Sequence, residues 1–214
     1  MNSLPEYYAA RAAEYERIYA YPERQSDLAR LAAIITDYFP DRTVLEMACG
    51  TGYWTVPAAL HAKHVVGIDI NEEVLAIART KPFERENVDF VCADLYAESV
   101  PGGPFDAALV AHWWSHIDRR EQRDFLAVLH QQLAPGARVL YLDNRYVEGS
   151  STPVSREDEY GNTYQTRGLD SGKHYEVMKN FPRSGELAQA LEGFATDIRF
   201  VEMDYYWYVT YSVS

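Results

Sequence analysis

The segment Thr43-Val44-Leu45-Glu46-Met47-Ala48-Cys49-Gly50-Thr51-Gly52-Tyr53-Trp54 leaves this chain few folds to choose from. It opens with residues that favour a strand, passes through an acid, and reaches a Gly-x-Gly turn. From Tyr53 to His61 it then carries apolar residues at helical spacing. A strand that breaks into a glycine turn and then a helix is how nucleotide-like ligands are held at the carboxyl edge of a parallel sheet. Gly50 and Gly52 let the backbone turn tightly and approach a ligand that a Cβ would hold off. Alone, the pattern also describes a tight βα turn with no ligand. Val65-Val66-Gly67-Ile68-Asp69 changes that balance, because it reads as a second buried strand ending in a carboxylate, seventeen positions after Gly52. An acid there is placed to accept both hydroxyls of an adenosine ribose.

Five segments occur in one order: VLEMACGTGYW at 44–54, VVGIDIN at 65–71, FVCADL at 90–95, FDAALVAHWWSHI at 105–117 and LAPGARVLYLD at 133–143. Together they resemble the class I S-adenosylmethionine-dependent methyltransferases of small-molecule type, over about half of the chain. The resemblance is specific for fold and cofactor and says little about substrate. It implies a Rossmann-like sheet of seven strands, six parallel and one antiparallel, with S-adenosyl-L-methionine as methyl donor. The cofactor-binding set it implies is Glu46, Ala48, Gly50, Gly52, Asp69, Ile70, Asp94, Leu95 and Ala111. Asp94 would accept from the adenine exocyclic amine, Leu95 would offer a backbone N–H, and Ile70 would pack on the ring. Ala48 stands where the family usually has glycine. A nicotinamide-dependent dehydrogenase is the rival, but its fingerprint wants glycine or alanine where this chain has Thr55. Glu46 also suits a ligand bearing an amino group and a sulfonium better than one bearing a pyrophosphate.

Charge narrows the partners. Asp plus Glu total 32 against 20 Lys plus Arg, a formal net of −12, with no basic run to offset it. Such a surface repels a phosphate backbone, so nucleic-acid substrates are not expected. No run of eighteen apolar residues exists to span a membrane. Residues 1–21 lack the pattern of a secretory signal. The two cysteines, Cys49 and Cys92, make no disulfide framework, so a cytoplasmic setting is expected. The oligomeric state stays open.

One domain is expected, with a helical lid at 1–40, a cofactor-binding core at 41–143, a substrate flap at 144–180, and a helix with a strand pair at 181–214. In the lid, Tyr7, Tyr8, Arg11, Tyr15, Ile18 and Tyr19 share overlapping helical faces. Such a face packs on a sheet edge or closes over a site, and on the second reading Tyr8, Arg11 and Tyr19 contribute to the cofactor pocket. After the fourth strand comes His112-Trp113-Trp114-Ser115-His116. A metal is not expected, because no glutamate follows the first histidine and no third ligand sits at a usual spacing. The flap lacks a sustained period and is long for a plain connection. Trp113, Ser115, Arg145, Tyr146 and Tyr175, with Tyr164, Arg167 and Lys179, are the candidates for gripping a substrate.

The chemistry expected is in-line displacement, for which the protein mainly holds the nucleophile near the methyl and excludes water. A base is needed only where the acceptor must lose a proton. His116 is the first choice for that task and His112 the second. A small aromatic or heterocyclic metabolite, methylated on oxygen or nitrogen, is the expected acceptor, and a protein side chain is the alternative.

Overall fold

The computed structural model describes residues 4–96 and 100–214. The chain begins with α1 (Leu4–Arg11), which tightens into a 3-10 helix over Ala12–Tyr19. The sequence pattern reads as one continuous amphipathic helix. The tighter winding brings residues three apart into line, so Tyr15 and Ile18 both pack against the core around Leu28, Leu31 and Val44. After Pro22 the chain enters α2 (Gln25–Tyr38).

Strand and helix then alternate: β1 (Thr43–Met47), α3 (Thr55–His61), β2 (His64–Asp69), α4 (Glu72–Ala78), β3 (Val88–Cys92), β4 (Phe105–Ala111), α5 (Gln122–Gln131) and β5 (Leu133–Asn144). An insertion follows, with β6 (Arg156–Glu157), β7 (Thr163–Gly168) and β8 (His174–Met178). The chain closes with α6 (Ser184–Leu191), β9 (Ala195–Glu202) and β10 (Tyr206–Val213). The main sheet runs β3-β2-β1-β4-β5-β10-β9. Its first five strands pair parallel, and β10 is antiparallel to both neighbours. This is the Rossmann-like methyltransferase architecture, with six strands in one direction and one reversed.

β1 and β4 are buried along nearly their whole length, as strands covered on both faces must be. One apolar cluster lies on each side of the sheet. The chain winds outward from β1 in one direction and from β4 in the other. Their carboxyl ends therefore diverge at a switch point, which opens a crevice there.

The segment expected as a flap folds as a separate antiparallel sheet, β6-β7-β8. Its turns fall where glycine allows them, at Tyr160-Gly161-Asn162 and between Gly168 and Gly172. Tyr7 of α1 packs against Leu169, Tyr175 and Val177 of this sheet. The Asn180 amide N–H donates to the Ser115 carbonyl at 2.7 Å, fixing the sheet's last strand to the turn after β4. Among the described residues no helix is long and apolar enough to cross a membrane.

Gly67 of β2 faces Phe90 of β3 in register. A Cβ there would sit 3.0 Å from two ring carbons of Phe90 and 3.1 Å from the Cys49 sulfur. Gly67→Ala should therefore cost about 1–3 kcal/mol by overpacking. Urea unfolding at pH 7 checks this, and an unchanged midpoint would show that the Phe90 ring yields freely.

Candidate functional site

Two cavities meet at the switch point. The first, about 280 Å³, is built from the loops that follow β1, β2, β3 and β4. Ala48 and Gly50 come from the first loop, Asp69 and Ile70 from the second, Asp94 and Leu95 from the third, and Ala111, His112 and Trp113 from the fourth. Ala48 has φ +53° and Gly50 φ +55°. The left-handed backbone at Ala48 is one that glycine adopts without strain, which explains physically why an alanine there departs from the family pattern.

Asp69 binds two of these loops together. Its Oδ2 accepts the Gly50 N–H and its Oδ1 accepts the Asn71 N–H, both at 3.0 Å. Each carboxylate oxygen keeps a further lone pair, so a diol in the cavity still finds two acceptors. Burial raises the Asp69 carboxyl above its usual range, against the pull of those backbone N–H groups. Asp94 Oδ1 accepts the Tyr96 N–H at 2.9 Å and so shapes the loop after β3. Glu46, on β1, is 1% exposed, and neither of its oxygens has a hydrogen-bond partner among the described residues. Burial pushes its carboxyl up to about 8, the nearby Thr55 hydroxyl offsets part of that, and Asp69 adds to it. Burial thus favours the protonated form at neutral pH, and both oxygens are left without a hydrogen-bond partner among the described residues.

The second cavity, about 310 Å³, lies between the N-terminal segment and β7. Tyr8, Tyr15, His112 and His116 line both cavities and form the passage between them. Acids and bases are segregated across that passage. The first cavity is lined by Asp69 and Asp94 and by no lysine or arginine among the described residues. The second is lined by Arg11, Arg24, Arg167 and Lys179 and by no acid among the described residues.

The two histidines of the passage differ. The His116 ring nitrogens are both engaged, Nδ1 with the Met178 carbonyl at 2.6 Å and Nε2 with the Tyr8 hydroxyl at 2.7 Å. The carbonyl can only accept, so Nδ1 carries the proton and Nε2 accepts from Tyr8. Burial, with Lys179 and Arg167 nearby, holds this ring's pKa well below the usual value. His112 is also buried, yet neither of its nitrogens has a hydrogen-bond partner among the described residues, and its backbone is left-handed at φ +58°. Strain of that kind persists only where its surroundings impose it; here the His112 N–H is held by the Leu142 carbonyl at 2.8 Å. Burial lowers the His112 pKa, and the Asp143 carboxylate, 3.6 Å from Nδ1, partly offsets this. Both nitrogens of His116 are therefore occupied, and those of His112 are unpartnered among the described residues.

Beneath the passage lies a buried ion pair. Lys179 Nζ is 2.8 Å from Asp143 Oδ1 and donates to the Ser115 hydroxyl at 2.5 Å, while Asp143 also accepts the Ser115 and Asn144 N–H groups. Burial opposes the Asp143 charge, but the Lys179 ammonium and the neighbouring His112 ring hold its carboxyl well below the ordinary range.

Of the residues singled out from sequence, several sit elsewhere. Arg11 lines the second cavity and not the first. Tyr19 is buried and stacks on Tyr53, with ring centroids 3.7 Å apart, outside both linings. Gly52 lies beneath the first cavity, its backbone against Ala78. Ser115 is a fully buried partner of Lys179 and not a lining group. Arg145 is drawn away to the Met203 carbonyl, Tyr146 packs on Phe181, and Tyr175 packs on Tyr7, all outside the linings. Trp113 lines the first cavity only. The sequence reading missed Arg24 and the role of Asp143. An acid closing the apolar strand Val139-Leu140-Tyr141-Leu142 was the signal for the latter.

The family model described as "Methyltransferase domain" matches residues 44–136. The chain is 32% identical to the ubiquinone/menaquinone biosynthesis C-methyltransferase UbiE of Methylobacterium nodulans, over 77% of this chain and 71% of that protein. It is 31% identical to the ubiquinone biosynthesis O-methyltransferase of Pseudomonas paraeruginosa over 46% of this chain, spanning only 42% of that protein. Among solved structures, the DhpI-SAM-HEP complex superposes with a TM-score of 0.78 at 26% identity, covering 99% of each chain. The DhpI-SAH complex gives 0.76 at 27% identity, covering 98% of this chain and 95% of that one.

Replacing Asp143 by asparagine leaves Lys179 buried without its counter-charge, so Asp143→Asn should cost about 3–5 kcal/mol at pH 7. A carboxyl held low in the folded state stabilises above its unfolded pKa of about 3.9, and that contribution is lost as pH falls through the folded value. Denaturant titrations from pH 7 to pH 3 should therefore show the gap between wild type and variant narrowing in acid. A gap constant across that range would remove the ion pair from the account.

Proposed function

The chain belongs to the class I S-adenosylmethionine-dependent methyltransferases, and from that premise we propose that it methylates an oxygen or nitrogen of a small molecule seated in the second cavity. The observation that carries this reading is the shared wall of Tyr8, Tyr15, His112 and His116, where a donor in one cavity and an acceptor in the other come together. S-adenosylmethionine supplies a methyl on a sulfonium, which an acceptor lone pair displaces in line while the bonding pair leaves with sulfur.

The residues of the first cavity, with Glu46 buried on β1 outside its lining, fit that donor. We assign Asp69 to the ribose hydroxyls, Asp94 to the adenine amine, Leu95 and Ile70 to the ring, and Glu46 to the amino group. The unpartnered Glu46 carboxylate supports the last assignment, since an ammonium would satisfy both of its free oxygens and return its raised pKa toward normal. Gly50 and Ala48 leave the backbone close to the ligand. The acidic lining also suits a cationic molecule.

On the acceptor side, the N-terminal segment covers the wall. Glu16 Oε1 accepts from the Thr51 hydroxyl at 2.7 Å and pairs with Lys81 at 2.5 Å, which fastens the segment over the β1–α3 turn. Tyr8 fastens it to His116. That enclosure keeps water from the reacting atoms and favours a small molecule over a polymer. Where the acceptor must lose a proton, His112 is the group we assign to remove it, with Asp143 near enough to stabilise the resulting imidazolium. A second reading, an aromatic or heterocyclic acceptor, is supported by the rings of Tyr7, Tyr8 and Tyr15 along the cavity wall.

Asp69→Ala should weaken S-adenosylhomocysteine binding by at least about 30-fold, because it removes charged acceptors worth roughly 1.5–3 kcal/mol each and unties two loops. Calorimetry on the purified variant measures it. Affinity within two-fold of wild type would separate the fold from the activity proposed.

A further inference from the structure

The second cavity runs against the net charge of the chain. In a chain with twelve more acids than bases, it gathers Arg11, Arg24, Arg167 and Lys179 and no acid among the described residues. Lys179 is neutralised by Asp143. None of the three guanidiniums pairs with a carboxylate among the described residues. Several arginines elsewhere find carboxylates, as Arg17 does with Asp170, Arg79 with Glu72, Arg120 with Asp118 and Arg156 with Glu176, while Arg85, Arg123 and Arg145 donate to backbone carbonyls outside the cavity. Arg11 instead donates to the Tyr7 hydroxyl at 2.7 Å and lies between the Tyr7 and Tyr15 rings, each 5.6 Å away. Arg167 donates through two nitrogens to the Gln165 side-chain oxygen, at 3.2 and 2.7 Å. Arg24, 8% exposed, donates to the Ser150 carbonyl and hydroxyl, and its Nε has no partner among the described residues.

Neutral acceptors aim a guanidinium without cancelling its charge. Holding three such groups around one enclosed space costs desolvation and mutual repulsion, which a protein repays only when a counter-charge arrives. Their origins also differ. Arg11 comes from α1, Arg24 from the turn before α2, and Arg167 from β7, so three separate elements converge on one chamber. Guanidinium matches the planar face of a carboxylate and the oxygens of a phosphoryl group through paired N–H donors.

We propose that the methyl acceptor carries an oxyanion, a carboxylate or a phosphoryl-type group, which docks on Arg11 and Arg167 with Arg24 and Lys179 supplying the surrounding positive field. This names the chemical class of acceptor and rests on the donor-and-acceptor reading given above. The anion fixes the molecule in the second cavity while its nucleophilic atom reaches the wall shared with the first. An oxyanion that is itself the nucleophile is already ionised at neutral pH and needs no base.

The test uses the full chain saturated with S-adenosylhomocysteine and titrated in a chloride buffer of fixed ionic strength. The probes are inorganic phosphate in one arm and acetate and benzoate in the other. Saturable binding of phosphate alone assigns a phosphoryl-type acceptor, and binding of a carboxylate alone assigns a carboxylate. Arg11→Gln/Arg167→Gln should weaken the binding anion at least ten-fold, with S-adenosylhomocysteine affinity within two-fold of wild type. Arg167→Lys, which keeps the charge, should recover part of the loss. Without anions the double variant should melt no lower than wild type, since it sheds uncompensated charge. No saturable binding of any probe would overturn the proposal, as would anion affinity unchanged in the double variant, while intact S-adenosylhomocysteine binding would leave the methyltransferase reading standing. Loss of S-adenosylhomocysteine binding by the wild type would instead count against that earlier reading.

Discussion

The Lys179–Asp143 ion pair is the contact on which the geometry of the site depends. Asp143 closes β5 at the carboxyl edge of the main sheet, and Lys179 follows β8 of the inserted sheet. Their contact is therefore the point where the insertion is pinned to the core. Through the Lys179 bond to the Ser115 hydroxyl, and the Asp143 bond to the Ser115 N–H, the same pair locks the turn after β4. That turn carries His112 on one side and His116 on the other. A pair buried this completely gains little net stability over an apolar substitute, but it tolerates no loss of either partner. What it adds is position, because only one docking of the inserted sheet satisfies both charges.

From that fixed point the two cavities follow as a matter of electrostatics. The loops after β2 and β3 contribute acids, and the N-terminal segment, β7 and the residue after β8 contribute bases, so the passage between them lies across a change of charge. A cationic donor and an anionic acceptor each find the favourable side. Tyr8 and His116 sit at the boundary as a neutral pair, with the ring kept uncharged by burial and by Lys179 and Arg167. A charged histidine there would add repulsion to a cluster that already carries uncancelled cations.

Much of this was legible in the sequence because local chemistry dictates it. The glycine turn, the acid after β2 and the alternating apolar strands together point to a parallel sheet with a ligand at its carboxyl edge. Arg167 and Lys179 could be named as candidates from the polar flap alone. The side chains that were misjudged share one cause. Arg145, Tyr146 and Tyr175 lie in the same stretch as Arg167, and nothing in a segment without a period tells which faces of a small antiparallel sheet turn inward. The contrast in hydrogen bonding between His112 and His116 was beyond reach for another reason. It depends on Met178 and Tyr8, which are 62 and 108 residues from His116 in sequence. Arg24 was overlooked because it sits in a short turn beside Pro22, where a lone arginine reads as surface.

The arrangement also bears on rate. A sulfonium and an oxyanion that react with each other cancel their charges, and the transition state is less polar than the separated reactants. Water, which solvates the separated ions, opposes such a step, whereas an enclosed chamber with fixed partners holds the ions without solvating them as fully. Covering the passage with the N-terminal segment, fastened through Glu16 to Thr51 and through Tyr8 to His116, is thus an electrostatic device as well as a steric one. After transfer to the oxyanion itself, the product no longer offers Arg11 and Arg167 the same negative charge. The cationic chamber that draws the acceptor in then has less hold on what leaves.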